Sequence, residues 1–452
     1  MQAGGMQLRT VVSELGDTAA LALELARAAG AEGARVEVAH SESRTAMVRN
    51  RVPSERSFRL ASEISITVYR DGKRASTSSS DLSREGLENA VRAALDITNV
   101  TAADSAAGLA DPLQLANVFP DLDLYHPFEA TLDDMMSYAQ RTEAAAFEHD
   151  SSIRTSNGAS VQTVSGVSLL ATSVGFSASA PWSVHSLSCA PVAAGANEKQ
   201  IGFWSHSARA FDDLAKAEEV GGVAAKRAMD ALDARQIPTQ QCAVLFEPTA
   251  ALGLLGELVS AASGDALYRT GSFLKDRLGA SLFPEHIHVS EDPFLKRGMG
   301  SRCFDSDGIP GSRRMLVQDG RLQGYFLGLY AARRLGLQPT GNGYGPHNLE
   351  VRSTRTSDED DFGRMLGKLN RGLVVTEMVG GGVNRLTGDF SRAAKGFWVE
   401  NGAIQFPVTG VTLASNLMEM FGGLQAIGSD AITRGASTSG SWLIEAMKVG
   451  GA

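Results

Sequence analysis

The sequence predicts an α+β protein of two domains, a mixed N-terminal domain with antiparallel strands and packed helices and a β-rich C-terminal domain. Its 452 residues are enough for more than one hydrophobic core. Helical and strand periodicities alternate in the first half, whereas the second half has strand patterns that turn at Asp-Gly and Asn-Gly. Pro238 separates the two patterns. We therefore expect domains over residues 1–237 and 238–452, with a possible β-rich subdomain over residues 150–210.

The N-terminal domain is expected to open with a helix and a strand. Apolar residues recur at helical spacing in LALELARAAG, and Gly30 or Gly33 ends this helix. A strand through Val36 and Val38 follows it, and a second strand is expected near residues 45–52.

A hairpin and a second helix are expected next. Apolar and polar residues alternate in EISITVY, and Asp71-Gly72 after it suits a type I′ turn. Ser83 then caps a helix whose apolar residues have the spacing of a buried face. These residues are Leu87, Ala90, Val91, Ala94 and Leu95.

The remaining elements complete the two domains. Helices are expected over residues 132–148 and 211–234, on either side of the β-rich section. CAVLFEP, from Cys242, is expected to be the first strand of the C-terminal domain. Further along, MLVQDGRLQGYF and FWVENGAIQF turn at their Asp-Gly and Asn-Gly pairs, which indicates antiparallel sheet.

Composition and charge restrict the class of protein. Apolar residues make up 43% and charged residues 21%, as in folded globular chains. The formal charge of −9 would repel a phosphate backbone, so we expect no nucleic-acid partner. Cys189, Cys242 and Cys303 are widely spaced, which fits a reducing compartment. Without a secretory pattern or a run of about 18 apolar residues, we expect a cytoplasmic protein with no membrane partner.

The common motifs of hydrolases and nucleotide-binding proteins are missing from the sequence. There is no G-x-S-x-G elbow and no G-x-x-x-x-G-K-[ST] phosphate loop. The glycine run at Gly380–Gly382 does not match the dinucleotide fingerprint either. We expect that run to be a tight turn or a close approach of backbones.

His286 and His288, in PEHIHVSEDP, form the one close pair of histidines in the sequence. Residues two apart on a strand share a face, so both rings could bind a metal ion, with Glu285, Glu291 or Asp292 as a further ligand. The alternative is a surface strand edge that runs into a turn. We favour the alternative, because a usable metal site also needs partners that orient its ligands.

Two other side chains carry reactive groups. His347 lies in the turn-rich TGNGYGPHNLE and is expected to be solvated rather than catalytic. Cys303 follows Arg302, whose guanidinium could lower the pKa of the thiol, but a plain buried cysteine is the commoner case.

Several stretches occur together in one known family. They are FDSDGIPGSRRMLVQDGRLQGYFLGLYAARRLG with the TGNGY after it, NRLTGDFSRAAKGFWVENGAI and VTLASNLMEMF. With them the chain resembles the TldD/PmbA family, formerly called modulators of DNA gyrase. GAEGARVEVAH, YRDGKRASTSSSDLSREGLENAVRAALDIT and SLLATSVGF in the first half agree as well. The resemblance covers nearly the whole chain.

The resemblance implies one of two branches. TldD-type chains carry H-E-x-x-x-H on a helix early in the C-terminal domain and a further zinc ligand, a cysteine, near the C-terminus. TldE-type (PmbA-type) chains lack these ligands and pair with TldD in a heterodimeric metalloprotease. Aligned by the Gly-Asp after the helix, Gly256 and Ala261 stand where the histidines would be, and only Glu257 keeps its type. Residues 432–442, ITRGASTSGSW, contain no cysteine.

The chain therefore resembles the TldE/PmbA branch. A catalytic zinc needs about three protein ligands, and glycine and alanine side chains offer none. Without a metal-bound water, Glu257 would have no proton to remove, and we expect it on the outward face of its helix. The resemblance implies no cofactor in this chain, zinc in a TldD-type partner, and unfolded peptides or small proteins as substrates.

Two alternatives stay open on sequence grounds. The chain could be a stand-alone peptidase that uses His286 and His288 or an unrecognised site. It could instead be a homodimer that binds peptides or regulates without cutting them. Chelator-sensitive hydrolysis by the purified chain would favour the first alternative, and a stable homodimer without a TldD-type partner would favour the second.

Overall fold

Helices and sheets occur in both halves of the chain, so the predicted α+β class is confirmed. The computed structural model describes residues 2–196 and 198–451, with side chains for residues 8–196, 198–269 and 271–451. Within these ranges the strands form one seven-stranded and two six-stranded sheets. No helix in the described ranges has the length and apolar character needed to cross a membrane.

The seven-stranded sheet belongs to the first half of the chain. The elements of this half are α1 (Gln2–Ala28), β1 (Gly33–Arg49), β2 (Val52–Arg70), β3 (Lys73–Ser79), α2 (Arg84–Val100), α3 (Leu132–His149), β4 (Ile153–Thr172), β5 (Ser177–Ala194), β6 (Lys199–Ile201), β7 (Trp204–Ala208) and α4 (Ala217–Asp230). The strand order is β3-β2-β1-β4-β5-β6, with β7 also paired to β5, and all pairings are antiparallel. The strands of residues 150–210 therefore continue the first sheet.

The turns between the first strands confirm one prediction and correct another. Asp71 and Gly72 have φ of 54° and 68°, the left-handed pair of a type I′ turn, as predicted. The separate strand expected near residues 45–52 is wrong. β1 extends through most of that stretch, and the chain reverses at Asn50 and Arg51, with φ of 51° and 66°. No glycine marks this reversal in the sequence.

Four helices cover one face of the sheet. α1 and α2 pack on the part around Val36 and Ile66, and α3 and α4 pack on the part around Ala46 and Val161. Side chains alternate between the two faces of a strand, so the neighbours of these residues point to the other face. Glu37, Glu63, Ser65 and Ser168 lie there and line a cleft of about 870 Å³ shared with the second half of the chain.

The helices of the first half follow the predictions, with one exception. Ser83 Oγ accepts a hydrogen bond from the Gly86 backbone N–H at 3.1 Å, and the predicted apolar face of α2 is buried. α3 matches residues 132–148 closely. The helix expected over residues 211–234 is shorter in the structure, where α4 spans Ala217–Asp230. Two glutamates in the first turn of α4 favour a helix start there, because they complement the helix dipole.

The second half of the chain contains two six-stranded sheets. Its elements are β8 (Gln240–Phe246), α5 (Pro248–Ala261), β9 (Ile287–Asp292), β10 (Arg314–Gln318), β11 (Arg321–Leu322), α6 (Leu329–Leu335), β12 (Asn348–Ser353), α7 (Phe362–Leu369), β13 (Gly372–Val379), β14 (Asp389–Glu400), β15 (Ala403–Asn416), α8 (Leu417–Gly422), β16 (Leu424–Ile427), β17 (Ile432–Arg434), β18 (Ser437–Ser439) and β19 (Trp442–Gly450). One sheet has the order β11-β10-β9-β12-β18-β17, and the other has the order β15-β14-β13-β8-β19-β16.

The predicted hairpins of the second half are confirmed. Asp319 and Gly320 have φ of 48° and 69°, and Asn401 and Gly402 have φ of 53° and 71°. The prediction of antiparallel sheet holds for most pairings, but β8–β13 and β12–β18 are parallel. The two sheets share one large hydrophobic core with α5 and α8. α5 is therefore held on a rigid scaffold.

The glycine run at Gly380–Gly382 is a close approach of two backbones, as the sequence indicates. Gly382 has φ of 155°, and a Cβ there would lie 1.8 Å from the carbonyl oxygen of Ser391. The Ser391 N–H donates to the Gly382 carbonyl at 2.7 Å. Any larger residue at Gly382 would break this contact beside β14.

Polar contacts fasten the first sheet to loops of the second half. Arg35 Nη1 lies 2.8 Å from Asp307 Oδ1. Glu37, on the same strand, accepts a hydrogen bond from the Tyr344 hydroxyl. Asp307 lies in the FDSDG stretch and Tyr344 in the TGNGY stretch, both of which carry the family resemblance. These stretches therefore position one half of the chain against the other.

Candidate functional site

The helix that aligns with the metal motif, α5, is almost completely enclosed by the second core. Pro248 occupies its first turn, where a missing N–H leaves no helical hydrogen bond unmade. Leu254, Leu255 and Leu258 are buried in the core. Ala250 and Gly253 face a cleft of about 1110 Å³ between α5 and the first half of the chain. Only the side of α5 with Ala250 and Gly253 therefore faces the cleft.

Glu257 lies on that side of the helix and is bound by an arginine. Its residue is 8% exposed, and Arg392 Nη2 on β14 donates to its Oε1 at 2.6 Å. Glu257, expected on the outward face of its helix, thus lies on the side of the cleft but is buried and ion-paired there. Burial of an unpaired carboxylate costs free energy, because the charge loses its hydration. The guanidinium of Arg392 offsets this cost with an opposite charge and a hydrogen bond. Arg392 is a site residue that sequence reasoning missed.

Gly256 and Ala261 have different surroundings. Gly256 is exposed, and a Cβ placed on it would meet no atom within 4 Å. Ala261 is fully buried, and its carbonyl accepts from Ser272 Oγ at 2.7 Å. Neither side chain has an atom that could bind a metal.

The structure brings the end of the chain beside this helix. β17 and β18, which belong to the segment 432–442, lie against α5. The two stretches that the family alignment relates to zinc ligands are therefore neighbours in space. The motif positions on α5 hold Gly256, the paired Glu257 and Ala261, and residues 432–442 include no Cys, His, Asp or Glu. This set does not fit a zinc ion, which prefers thiolate, imidazole and free carboxylate ligands.

The cleft beside α5 contains a group that the sequence did not reveal. Trp204 on β7 has two guanidinium groups over its ring, Arg227 at 4.8 Å and Arg434 at 3.8 Å from the ring centroid. Arg227 also forms an ion pair with Glu247, which precedes α5. These residues come from distant parts of the chain, so no local motif could have indicated the cluster.

His286 and His288 do not share a site with Glu291. His286 is buried, and its Nδ1 lies 2.9 Å from Ser353 Oγ. His288 accepts from the Asp319 backbone N–H at 3.4 Å. Buried and partly exposed residues alternate along β9, which directs Glu291 to the opposite face from His288. In residues 2–196 and 198–451, no three His, Cys, Asp or Glu side chains are grouped so as to hold a metal ion.

His347 is fully buried, so the expectation of a solvated ring is wrong. Its Nδ1 lies 2.8 Å from Glu291 Oε1, and Arg314 Nε donates to Glu291 Oε2 at 2.6 Å. Burial raises the pKa of the Glu291 carboxyl, but the hydrogen bond from His347 and the charge of Arg314 outweigh it, and the pKa falls to about 2. A Cβ on Gly311 would lie 2.8 Å from His347 Nε2. The ring is therefore closed in rather than facing a cavity, which indicates a structural role.

Cys303 is a plain, partly buried cysteine. Its Sγ lies 3.6 Å from the carbonyl oxygen of Pro120, and its side chain packs beside Phe304. Burial raises the pKa of the Cys303 thiol. The neighbouring Arg302 donates to the Pro346 carbonyl at 2.7 Å instead of activating the sulfur.

Comparison with known sequences gives matches along most of the chain. Models of the PmbA/TldA metallopeptidases match as domain 1 over residues 34–98, as the central domain over 125–232 and as the C-terminal domain over 239–451. The metalloprotease PmbA of Escherichia coli is 38% identical over 437 residues, which covers 97% of this chain and 96% of that protein. A PmbA homologue of Haemophilus influenzae is 35% identical over 444 residues, covering 98% of each.

Solved structures with the same fold are also known. A candidate modulator of DNA gyrase from Bacteroides thetaiotaomicron has a TM-score of 0.91 at 27% identity and covers 97% of this chain and 99% of that chain. TldE from Thermococcus kodakarensis has a TM-score of 0.83 over 95% of this chain and 99% of that chain. At 18% identity this second match shows the fold alone.

The three matched domains together span most of the chain and define a protein of the PmbA/TldA metallopeptidase class. The chain belongs to the TldD/PmbA family, so the resemblance inferred from its motifs is confirmed.

Proposed function

We propose that this chain is a TldE/PmbA-type subunit of a heterodimeric metalloprotease, without zinc ligands of its own. The observation that carries the proposal is the ion pair of Glu257 with Arg392 on α5. The glutamate of the motif is held by a cation from its own chain, and Gly256 and Ala261 beside it have no donor atom. In this proposal the zinc and the residues that cut the peptide lie on a TldD-type partner.

The substrates in this proposal are unfolded peptides or small proteins. An extended peptide binds readily by adding a strand to a free sheet edge. Within the described residues β7 pairs only with β5, and Trp204 and Ser205 of β7 line the cleft beside α5. The free edge of β7 is therefore a suitable place for an extended chain. We also propose a cytoplasmic location, which the three free cysteines support.

Co-expression with the H-E-x-x-x-H paralogue of the same genome tests the proposal. We expect the two chains to co-purify as one complex and to hydrolyse an unfolded protein much faster than either chain alone. A chelator should abolish this activity. A matched control uses a paralogue whose two motif histidines are replaced by alanine, which should still associate but not cut.

The two alternatives predict other outcomes of this experiment. Two chains that neither associate nor gain activity would refute the heterodimer. A chelator-sensitive activity of this chain alone would establish a stand-alone peptidase. A stable homodimer that binds peptides and ignores the paralogue would instead establish a binding or regulatory protein.

A further inference from the structure

The cleft beside α5 has apolar walls open to solvent. Its volume is about 1110 Å³, and it is bounded by β6, β7 and α4 on one side and by α5, β13, β14, β15 and β17 on the other. Ile201, Phe203 and Ile404 line it and are 57%, 58% and 43% exposed. Exposed side chains of this size in a concave surface are typical of ligand contacts.

Basic side chains outnumber acidic ones along the cleft. The basic residues are Lys226, Arg227, Arg392, Lys395 and Arg434, and the acidic residues are Asp230, Glu247 and Glu377. Four of the basic groups have an acidic partner: Lys226 with Asp230, Arg227 with Glu247, Lys395 with Glu377, and Arg392 with Glu257. Among the side chains that the structure describes, Arg434 has none within 4.0 Å. The cleft therefore keeps one uncompensated positive charge.

Arg434 is held in a fixed orientation. Its guanidinium stacks on Trp204 at 3.8 Å, and Nη1 donates to the carbonyl and the hydroxyl oxygen of Ser205. In the described part of the chain, both of its hydrogen bonds come from Nη1. The Nε and Nη2 donors are thus available for a planar acceptor such as a carboxylate.

The surroundings of Arg434 disfavour a lone cation. Burial and the charge of Arg227 lower the pKa of Arg434, and the opposing effect of Glu247 does not cancel them. Glu247 is already bound by Arg227 and by the Thr249 hydroxyl. A carboxylate that entered the cleft would relieve this unfavourable charge.

We infer that the cleft binds a carboxylate of a peptide, with the guanidinium of Arg434 as its anchor and Ile201, Phe203 and Ile404 as contacts for the adjoining apolar residues. The inference rests on the proposed function for one point, that the ligand is a peptide. The carboxylate can come from the C-terminus of the peptide or from an Asp or Glu side chain, because both offer the same planar pair of oxygens.

Binding of short unstructured peptides to the isolated full-length chain tests this inference. Fluorescence anisotropy is measured with one sequence in three forms: a free C-terminal acid, a C-terminal amide, and an amide with a glutamate near its end. We expect the acid to bind roughly ten- to a hundred-fold more tightly than the amide, the range for a hydrogen-bonded charge. The glutamate form shows whether a side-chain carboxylate serves as well as the terminal one.

Substitutions at Arg434 test the assigned residue. R434Q should remove the preference for the acid, and R434K should keep part of it, because lysine retains the charge without the planar pair of donors. R371Q is the matched control, since Arg371 also stacks on a tryptophan, Trp398, but does not line the cleft. Thermal melting of each variant reports whether it folds.

Two results would overturn the inference. One is equal affinity of the unchanged chain for the acid, the amide and the glutamate form, or no binding of any of them. The other is a folded R434Q variant that keeps the preference for the acid. The comparison of the three peptide forms needs no substitution, so it decides the matter even if R434Q unfolds. The peptide comparison also needs no partner chain. Its result is therefore independent of whether the heterodimer forms.

Discussion

At the residue scale, the most informative contact is the ion pair of Glu257 with Arg392. Both side chains are largely buried, at 10% and 20% exposure, and Arg392 Nε has no hydrogen-bond partner within the described chain. Each charge is tolerated only because the other is present. Glu257 is thus held within its own chain, at the position that the motif alignment relates to the glutamate of H-E-x-x-x-H.

Removal of either partner should be costly, and removal of both should cost less than the sum. We expect E257Q and R392M each to lower the free energy of unfolding by roughly 1–3 kcal/mol, because each leaves a buried charge alone. The double variant should show a coupling of about 1 kcal/mol or more. Urea unfolding of the four proteins measures these values.

The exposed pair Arg84–Glu88 on α2 provides the control cycle. Its side chains are 65% and 42% exposed and lie 3.6 Å apart. A solvated i,i+4 pair should couple by less than about 0.5 kcal/mol. Equal coupling in the two cycles would contradict the structural role of Glu257.

At the element scale, the two positions of α5 that align with the motif histidines differ in burial. Gly256 is exposed and Ala261 is buried. We expect G256H to change stability by less than about 0.5 kcal/mol, since the site is exposed and glycine is a poor helix residue. A261H should destabilise by roughly 1–3 kcal/mol or more, because an imidazole has no room in that core. Thermal unfolding of both variants measures the difference. Equal effects would mean that α5 is not seated as described.

The network on β9 makes stability depend on pH. The pKa of Glu291 lies at about 2, below the ordinary value of 4.5, so its contribution is complete above pH 4.5 and is lost as the pH falls towards 2. The difference corresponds to roughly 3 kcal/mol. We expect the urea midpoint of the unchanged chain to fall in this window more steeply than that of E291Q.

The carboxyl of Asp305 also titrates, and it limits the pH range in which the two proteins should be compared. Burial raises the pKa of Asp305 to about 6, so its effect has the opposite sign and acts at higher pH, between the ordinary value of 3.8 and 6. Other carboxyls with lowered pKa values also titrate below pH 3.8, so it is the difference between the unchanged chain and E291Q in that range that reports on Glu291. Parallel curves for the unchanged chain and E291Q in that range would contradict the network.

Local signals explain which elements the sequence predicts. Asp71-Gly72 forms its hairpin turn because both residues adopt positive φ. Ser83 caps the start of α2 by accepting a hydrogen bond from the backbone N–H three residues later. The reversal at Asn50 and Arg51 lacks such a signal, so β1 is longer than expected. The glycine-rich loop of His347 wrongly predicts a solvated ring, whereas in the fold Glu291 of β9 binds the ring and Gly311 lies against it.

The site is less predictable than the elements, for a related reason. The motif alignment leads to α5 and places Gly256 and Ala261 at the histidine positions, because a motif is local. Arg392 lies 135 residues from Glu257, and Arg434 lies 229 residues from Ser205. Which strands bring these residues together is decided by the order of strands in the sheets, and a single sequence does not display that order.

At the scale of the whole molecule, the chain has the three domains of its family. The two halves are joined by contacts such as Arg35 with Asp307, and the cleft between them is open. At α5, the carboxylate of Glu257 is engaged in an ion pair with Arg392 of the same chain. We propose that this chain shapes a substrate site and leaves the metal to another polypeptide.

The zinc content of the purified chain tests that claim most directly. The chain is loaded with excess zinc, dialysed, and measured by elemental analysis, with the H-E-x-x-x-H paralogue treated in the same way. We predict far less than one zinc per molecule of this chain and about one per paralogue, because a catalytic site needs about three protein ligands. One tightly held zinc per molecule of this chain, required for peptide hydrolysis, would contradict the claim.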